Sequence, residues 1–288
     1  MHTLFHISLH GVLPALALII ASVAQAADTG LLWKVEAANA KTSYLFGTMH
    51  SDDKRLDALP KGLDAALASS EAFMIETLPP RDPGIFLLQD NQMVSSFLND
   101  AEVDKLRELA DFHSMHTEAA LRMKPWLLAV IFDLPKPQTP FSMDAKLMTK
   151  AEQQGKRVFG LEDTDEHFGV LDSFSMDEQI VMLRAVLKRS QKDKQRDFEA
   201  LIKAYKTGDI DNILKRNEKI TGDMLPAELW DRMRFKLIDE RNVRMAERIA
   251  RQAEEVPVFV AVGASHLGGK GGLVERLREA GYQVTAVK

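Results

Sequence analysis

The sequence contains no cysteine. Disulfide bonds, thiolate metal ligands and cysteine nucleophiles are therefore excluded together. Basic residues are also not in excess: the formal net charge is −5, and no Lys/Arg stripe is interleaved with aromatic residues as in nucleic-acid-binding proteins. Flexible Ser/Gly linkers and fixed-period repeats are missing as well. We therefore expect a globular protein with no nucleic-acid partner.

Charged side chains are missing from residues 1–26. Within this segment, Gly11–Ala24 is apolar, has the length of a signal-peptide core and is short for a membrane span. The Ala24-Gln25-Ala26 tripeptide matches an A-x-A cleavage site. We predict a signal peptide at residues 1–26, a periplasmic or secreted location, and no stable membrane anchor after cleavage. Because no lysine or arginine precedes the apolar core, an uncleaved anchor is the alternative.

The remaining chain alternates short β-branched runs with helical periodicities. The predicted strands are Leu31–Ala37, Lys41–Phe46, Glu71–Thr77, Arg157–Leu161, Val256–Val262 and Tyr282–Val287. The predicted helices include Lys61–Ser69, Ile85–Ser95, Ala101–Phe112, Thr117–Ile131, Ser142–Gln154, Pro226–Ala253 and Gly271–Ala280. This order predicts an α/β fold, with a central mixed sheet, surrounding helices and a large helical insertion, as one domain over residues 27–288.

Two of the predicted strands are followed by the same short pattern, Gly-x-x-His. It runs from Gly47 to His50 near the start of the chain and from Gly263 to His266 near its end. Ligands and reactive groups of open α/β sheets lie beyond the carboxyl ends of the strands. We therefore expect both imidazoles at one site.

Two glutamates stand at further predicted strand ends, Glu76 and Glu162. Imidazoles and carboxylates suit metal binding and general acid–base chemistry. Two histidines with one carboxylate form an open site of the kind that Zn or Mn occupies. The structural alternatives are a surface or capping carboxylate for Glu76 and a solvated helix start for Glu162, which lies in an acidic cluster.

Other candidates are weaker. His113 and His116 are about one helical turn apart and could ligate a metal, but they lie between predicted helices with no nearby strand end, so we predict them at the surface. His167 is an equally weak candidate, and we predict it at the surface as well. Arg241 lies in a charge-dense helix, where an arginine is usually a solvated salt-bridge partner.

Several pieces of the sequence, taken in order, resemble the TraB/GumN family, which includes pheromone-shutdown proteins and the Tiki proteases of animals. Besides the strand that ends near Glu76, the pieces are Leu45–His50, Lys124–Trp126, Gly155–Glu162, Glu240–Ala246 and Val262–Leu273. They cover nearly the whole predicted mature chain. Each piece is weak alone, but the ordered set is fairly specific.

The resemblance implies a fold related to erythromycin esterases and haem-binding ChaN-like proteins. It also implies a site built from the two Gly-x-x-His histidines with acids and an arginine, which carries over to His50, His266, Glu76, Glu162 and Arg241. One departure is visible, since the family often has Glu-Thr where this chain has Glu162 followed by an aspartate.

The leading hypothesis is a secreted hydrolase that depends on a divalent metal, Mn or Zn, and cleaves a peptide or another acyl bond in a peptide or small-molecule substrate. His50 and His266 hold the metal, and Glu76 is a third ligand or the general base. Glu162 is a second acid/base or orients a histidine, and Arg241 stabilises developing negative charge.

Two other hypotheses remain open. One is a metal-free hydrolase of esterase type, in which a histidine is the general base. The other is a module that binds haem or a small ligand non-covalently, because the sequence has no Cys-x-x-Cys-His. Oligomeric state cannot be inferred from these patterns.

Overall fold

The structure is a computed structural model that describes residues 29–37 and 41–287. The predicted signal peptide and the turn near residues 38–40 lie outside the described residues. Within the part of the chain that is described, no helix combines the length and apolar character that a membrane crossing requires.

Six strands form one mixed sheet, in the order β4-β3-β5-β2-β1-β6. Strands β4, β3, β5 and β2 run parallel, and β1 pairs antiparallel with both β2 and β6. The four parallel strands consequently deliver their carboxyl ends to one edge of the sheet. The strands are β1 (Leu32–Glu36), β2 (Ser43–Thr48), β3 (Ala72–Ile75), β4 (Arg157–Gly160), β5 (Val258–Gly263) and β6 (Gln283–Ala286).

The described α-helices cover both faces of the sheet and form a separate helical part. They are α1 (Leu63–Ser69), α2 (Asp100–Phe112), α3 (Thr117–Leu121), α4 (Pro125–Asp133), α5 (Met143–Gln153), α6 (Thr164–Asp172), α7 (Met176–Leu187), α8 (Gln191–Thr207), α9 (Ile210–Gly222), α10 (Ala227–Arg234), α11 (Glu240–Glu255) and α12 (Leu273–Glu279). A π-helical turn, Phe235–Asp239, joins α10 to α11. The predicted α/β architecture is confirmed; the implied kinship with erythromycin esterases stays a prediction.

Three buried clusters account for this layering. Residues of alternate orientation on the strands face opposite sides of the sheet: Val260 packs towards α11 and α12, and Phe259 packs towards α1, α5 and α8. The third cluster contains no strand residue and joins α2, α4, α7 and α10. The helical insertion therefore has its own core beside the sheet.

Two predicted helices differ from the structure. Ile85–Ser95 is not a helix; it holds parts of two 3₁₀ turns, separated by Asp90 and Asn91 in the left-handed region at φ 55° and 56°. Left-handed residues stop a right-handed helix. Thr117–Ile131 is broken into α3 and α4 before Pro125, because the residue that precedes a proline disfavours helical backbone.

Candidate active site

The sequence places one candidate side chain after each of the four parallel strands. Glu162, Glu76, His266 and His50 follow β4, β3, β5 and β2, which is the spatial order of these strands across the sheet. Because β2 and β5 pair with Thr48 opposite Gly263, the two Gly-x-x-His turns leave the sheet side by side. The parallel register thus brings together residues from both ends of the described chain.

Glu76 lies at the centre of the site and is 5% exposed. Its Oε1 accepts a hydrogen bond from the backbone N–H of Gly263 at 2.7 Å, and its Oε2 accepts one from Arg241 Nη2 at 2.6 Å. The Nε2 atoms of His50 and His266 lie 3.7 and 3.9 Å from these oxygens. Burial opposes ionisation, but Arg241 and the histidines keep the pKa of Glu76 well below its usual range. Glu76 is therefore a carboxylate.

His50 is anchored from behind by a residue that the sequence did not reveal. Its Nδ1 lies 2.8 Å from Oδ2 of Asp144, at the start of α5, and Asp144 Oδ1 accepts a hydrogen bond from Thr48. The Asp144 carboxylate raises the pKa of His50. With Nδ1 engaged in this way, Nε2 is the nitrogen directed at Glu76.

The Nδ1 atom of His266 is also held by a side chain, but by an amide rather than a carboxylate. Its Nδ1 lies 2.7 Å from Oδ1 of Asn242, whose Nδ2 donates to the backbone carbonyls of His266 and Gly271. These two donor contacts fix the amide orientation, so Nδ1 of His266 carries the proton and Nε2 carries the lone pair. Burial lowers the pKa of His266 to about 4. His266 is therefore neutral near pH 7.

Arg241 connects the two glutamates and is 5% exposed, contrary to the solvated role that is usual for an arginine in a charge-dense helix. Its Nε donates to Glu162 Oε2 at 2.9 Å, while Nη2 donates to Glu76. Its Nη1 lies 3.3 Å from Nε2 of His266. The Glu162 side chain is fully buried and also contacts Arg244. Burial opposes ionisation of Glu162, but His167 and Arg241 lower its pKa to about 2.

The π-helical turn before α11 lies directly before these contacts. A π turn adds one residue to a helical turn and is frequent at functional sites. It precedes the consecutive residues Arg241 and Asn242, which reach the glutamates and His266. The Arg-Asn pair thus acts on both sides of the site from one helix.

His167 also belongs to the site, and its predicted surface position is wrong. It lies in the first half of α6, and its Nδ1 is 3.2 Å from Glu162 Oε2 and 3.0 Å from Arg241 Nη2. A usable signal was its position in the helix that begins just after the Glu162 strand end. Asp144 had no such signal, because only the packing of α5 against the sheet brings it to His50.

The chemical types of these side chains, two imidazoles and a carboxylate, are those that bind a divalent metal. Two imidazoles that point Nε2 at a carboxylate, with each Nδ1 held by a further side chain, are the usual surroundings of zinc and related ions. In their present positions, however, no three His, Asp or Glu residues of the described chain are close enough to share an ion. The cation that contacts both Glu76 and His266 is the Arg241 guanidinium.

The sequence is similar to those of several animal metalloproteases, at about 25% identity. The chain is 25% identical over 325 residues to metalloprotease TIKI2 of Danio rerio, covering 91% of this chain and 62% of that protein. It is 24% identical to a metalloprotease TIKI homologue of Amphimedon queenslandica, covering 90% of this chain and 62% of the homologue. Human metalloprotease TIKI1 is 26% identical over 163 residues, which cover 49% of this chain and 32% of that protein.

The chain thus spans less than two thirds of the length of these relatives, all of which are named as metalloproteases. The names suggest a metal cofactor for the group. The match to a protein family covers residues 31–286 and so includes every described strand of the sheet and every residue of the site. This chain belongs to the TraB/PrgY/gumN family.

Proposed function

We propose that this chain is an exported hydrolase that uses a divalent metal to cleave a peptide bond or another acyl bond. The observation that carries the proposal is the convergence of His50 and His266, from opposite ends of the chain, on the buried carboxylate of Glu76. The metalloprotease names of relatives at about 25% identity support the same reaction class.

His50 and His266 would hold the metal, Mn or Zn, through Nε2, with Glu76 as the carboxylate of the set. For His266 to bind the ion, Nη1 of Arg241 would have to leave Nε2. When bound, such a metal polarises a carbonyl oxygen and lowers the pKa of a water molecule. Asp144 and Asn242 orient the two imidazoles, which supports both ligand basicity and geometry.

The remaining groups act on charge and protons. Arg241 lines the cavity and would stabilise negative charge that develops on the substrate oxygen. Glu162 holds the Arg241 guanidinium in place through Nε. Glu76 has two roles open to it, metal ligand and proton acceptor from water. In Glu76→Gln, loss of activity with retention of metal assigns the general-base role, which typically contributes about 10²–10⁴-fold.

Metal analysis tests the proposal directly. We expect purified wild type to hold a divalent metal stoichiometrically after loading with Mn or Zn, and His50→Ala and His266→Ala to lose most of it. Cleavage of a quenched-peptide panel should disappear with a chelator and return when the metal is restored. His116→Ala, at an exposed histidine, is the matched control.

The metal-free esterase-type reaction is the rival, and the contact between Arg241 and Nε2 of His266 favours it. In that reaction a histidine removes a proton from water or from a nucleophile without an ion. Chelator-resistant hydrolysis by protein that contains no stoichiometric metal would establish the rival and reject our proposal.

Export is a separate part of the proposal and depends on the predicted signal peptide. Mass spectrometry of protein recovered from the periplasm or medium of an expressing Gram-negative host should show a chain that begins at Ala27. Retention of residues 1–26 on protein in the membrane fraction would instead support the uncleaved anchor.

A further inference from the structure

The cavity above Glu76, of about 430 Å³, has a polar floor and mainly apolar walls, to which α9 adds the polar side chains of Asn217 and Thr221. The floor consists of the site residues, and the walls come from the helical insertion with its separate core. α4, α7, α10 and the π-helical turn supply wall side chains that include Trp126, Val130, Met182, Val186, Met233 and Leu237. This volume and this division of polar and apolar lining are typical of sites that bind small ligands.

The helices of the wall are packed on the side that faces away from the cavity and partly solvent-exposed on the side that lines it. Leu128 of α4 and Leu183 of α7 are fully buried between the helices. Val130 and Leu134 line the cavity, yet 46% and 41% of their surface stays exposed. Exposed apolar side chains in a concave surface are favourable contacts for an apolar ligand group, since covering them removes apolar area from water.

The charges of the wall disfavour ionic groups. Among the described wall residues, Asp133 carries the ionisable side chain, and it is paired with Arg189. Burial raises the pKa of Asp133, so its charged form is less favourable here than in water. A charged substrate side chain placed here would lose hydration without gaining a partner.

We propose that the bond cleaved at this site is flanked by a large apolar side chain, such as that of Leu, Phe or Met, and that the wall of α4 and α7 selects it. This inference rests on the proposed hydrolase function and names its substrate class. The helical insertion is then the specificity element, and the sheet edge carries the chemistry.

Binding without cleavage tests the inference first. His50→Ala removes a side chain that is 60% exposed, so we expect this variant to fold and to be unable to cleave. Calorimetric titration with acetyl-Leu-Phe-Leu-amide and with acetyl-Ser-Gln-Ser-amide compares apolar and polar probes in the same cavity. We expect the apolar peptide to bind at least about tenfold more tightly.

Charge placed on the wall tests where the selection occurs. Leu134→Lys and Val130→Lys should each lower kcat/KM of the wild-type protein for Leu- or Phe-flanked quenched peptides about tenfold or more. The same variants should improve the relative cleavage of peptides with Asp at that position. Leu59→Lys, at a leucine of similar exposure (37%) outside this cavity, should leave the preference unchanged.

The failures are distinguishable. If wild type cleaves peptides with equal efficiency whatever side chain flanks the bond, the inference is wrong and the hydrolase proposal stands. If no peptide or ester is cleaved, the proposed function fails. Equal binding of the two probes, or binding unaffected by Leu134→Lys, overturns the apolar-wall assignment independently of catalysis.

Discussion

At the scale of single residues, the site depends on side chains that orient other side chains. The Nδ1 atom of each Gly-x-x-His histidine has its own partner, a carboxylate for His50 and an amide for His266. Such partners fix the ring and its tautomer and usually matter nearly as much as the ligands themselves. Removing them should therefore weaken the site without removing a donor.

Asp144→Asn tests this dependence. The variant can still accept a hydrogen bond from His50 but loses the negative charge, so we expect metal affinity and kcat/KM to fall about 10–100-fold. Chelator competition and peptide cleavage measure the two effects. Asp64→Asn is the control: Asp64 lies in α1, and its exposed carboxylate pairs with Lys150 of α5, the helix that also carries Asp144. Unchanged affinity in Asp144→Asn would show that this carboxylate does not position His50.

Arg241→Ala tests the buried charge network. Removal of the guanidinium leaves Glu76 and Glu162 buried without their main cation, and breaking a buried pair costs about 3–5 kcal/mol of unfolding free energy. Urea unfolding at pH 7 measures the loss. Lys150→Ala breaks an exposed pair and should cost less than about 1 kcal/mol.

The pH dependence of Arg241→Ala has a definite sign. Arg241 lowers the pKa of both glutamates, so in its absence their charged forms are penalised by burial. Protonation relieves this penalty, so the stability deficit of the variant should shrink as the pH falls into the acidic range. A deficit that is independent of pH would indicate lost packing rather than lost charge compensation.

At the scale of elements, two neighbouring turns are packed so closely that a glycine is required. A Cβ atom at Gly47 would lie 2.6 Å from Leu267 Cδ1 and 3.1 Å from Ala264 Cα. The Leu267 side chain is buried, and the Ala264 contact is with the backbone of the His266 turn, so neither group can move away without disturbing its neighbours. The glycine at the start of the first Gly-x-x-His pattern thus lets the two patterns approach each other.

Gly47→Ala should separate the turns. Overpacking of this kind costs about 1–3 kcal/mol, and the displaced His266 turn should reduce activity beyond the loss of stability. Urea unfolding and peptide cleavage at low temperature measure the two effects. Gly169→Ala, in α6 with no atom within 4 Å of the added Cβ, should be neutral or slightly stabilising. Full activity in a destabilised Gly47→Ala would show that the turn separation does not matter for catalysis.

At the scale of the whole molecule, the helical insertion contains a buried histidine that makes stability sensitive to acid. His113 was predicted at the surface, but it is 7% exposed, and neither ring nitrogen has a hydrogen-bond partner among the described residues. Burial, with Lys194 and Lys136 nearby, lowers its pKa to about 4. The folded protein therefore favours the neutral ring more than the unfolded chain does.

The sign of the resulting pH effect follows from this depressed pKa. The stabilising contribution is complete above the ordinary histidine pKa near 6.5 and is lost as pH falls towards 4. We expect His113→Phe to remove about 2 kcal/mol of the acid-induced loss between pH 7 and pH 4.5. Urea unfolding at both pH values measures it, with His116→Phe as the exposed control. Identical pH slopes in wild type and His113→Phe would contradict the prediction.

The sequence alone determined the α/β class, the strands and the site candidates. These depend on local patterns: apolar β-branched runs bounded by breakers predicted the strands, and Gly-x-x-His after two of them predicted where His50 and His266 stand. The prediction of a helix over Ile85–Ser95 was wrong because two residues with left-handed backbone conformation interrupt an otherwise helical periodicity. Catalytic and metal roles of the candidates remain predictions.

Only the tertiary structure decided which residues surround those candidates. Strand order places β5 between β3 and β2, so Glu76 and His50 follow the strands on either side of the one that precedes His266. No local pattern encodes that neighbourhood, which brings the Nε2 atoms of both histidines within 4 Å of the Glu76 carboxylate. Asp144, Asn242 and His167 come from helices whose contacts depend on packing across the sheet. Charge state follows the same rule, because burial and neighbouring ions, which exist only in the folded chain, set the pKa values of Glu76 and His266.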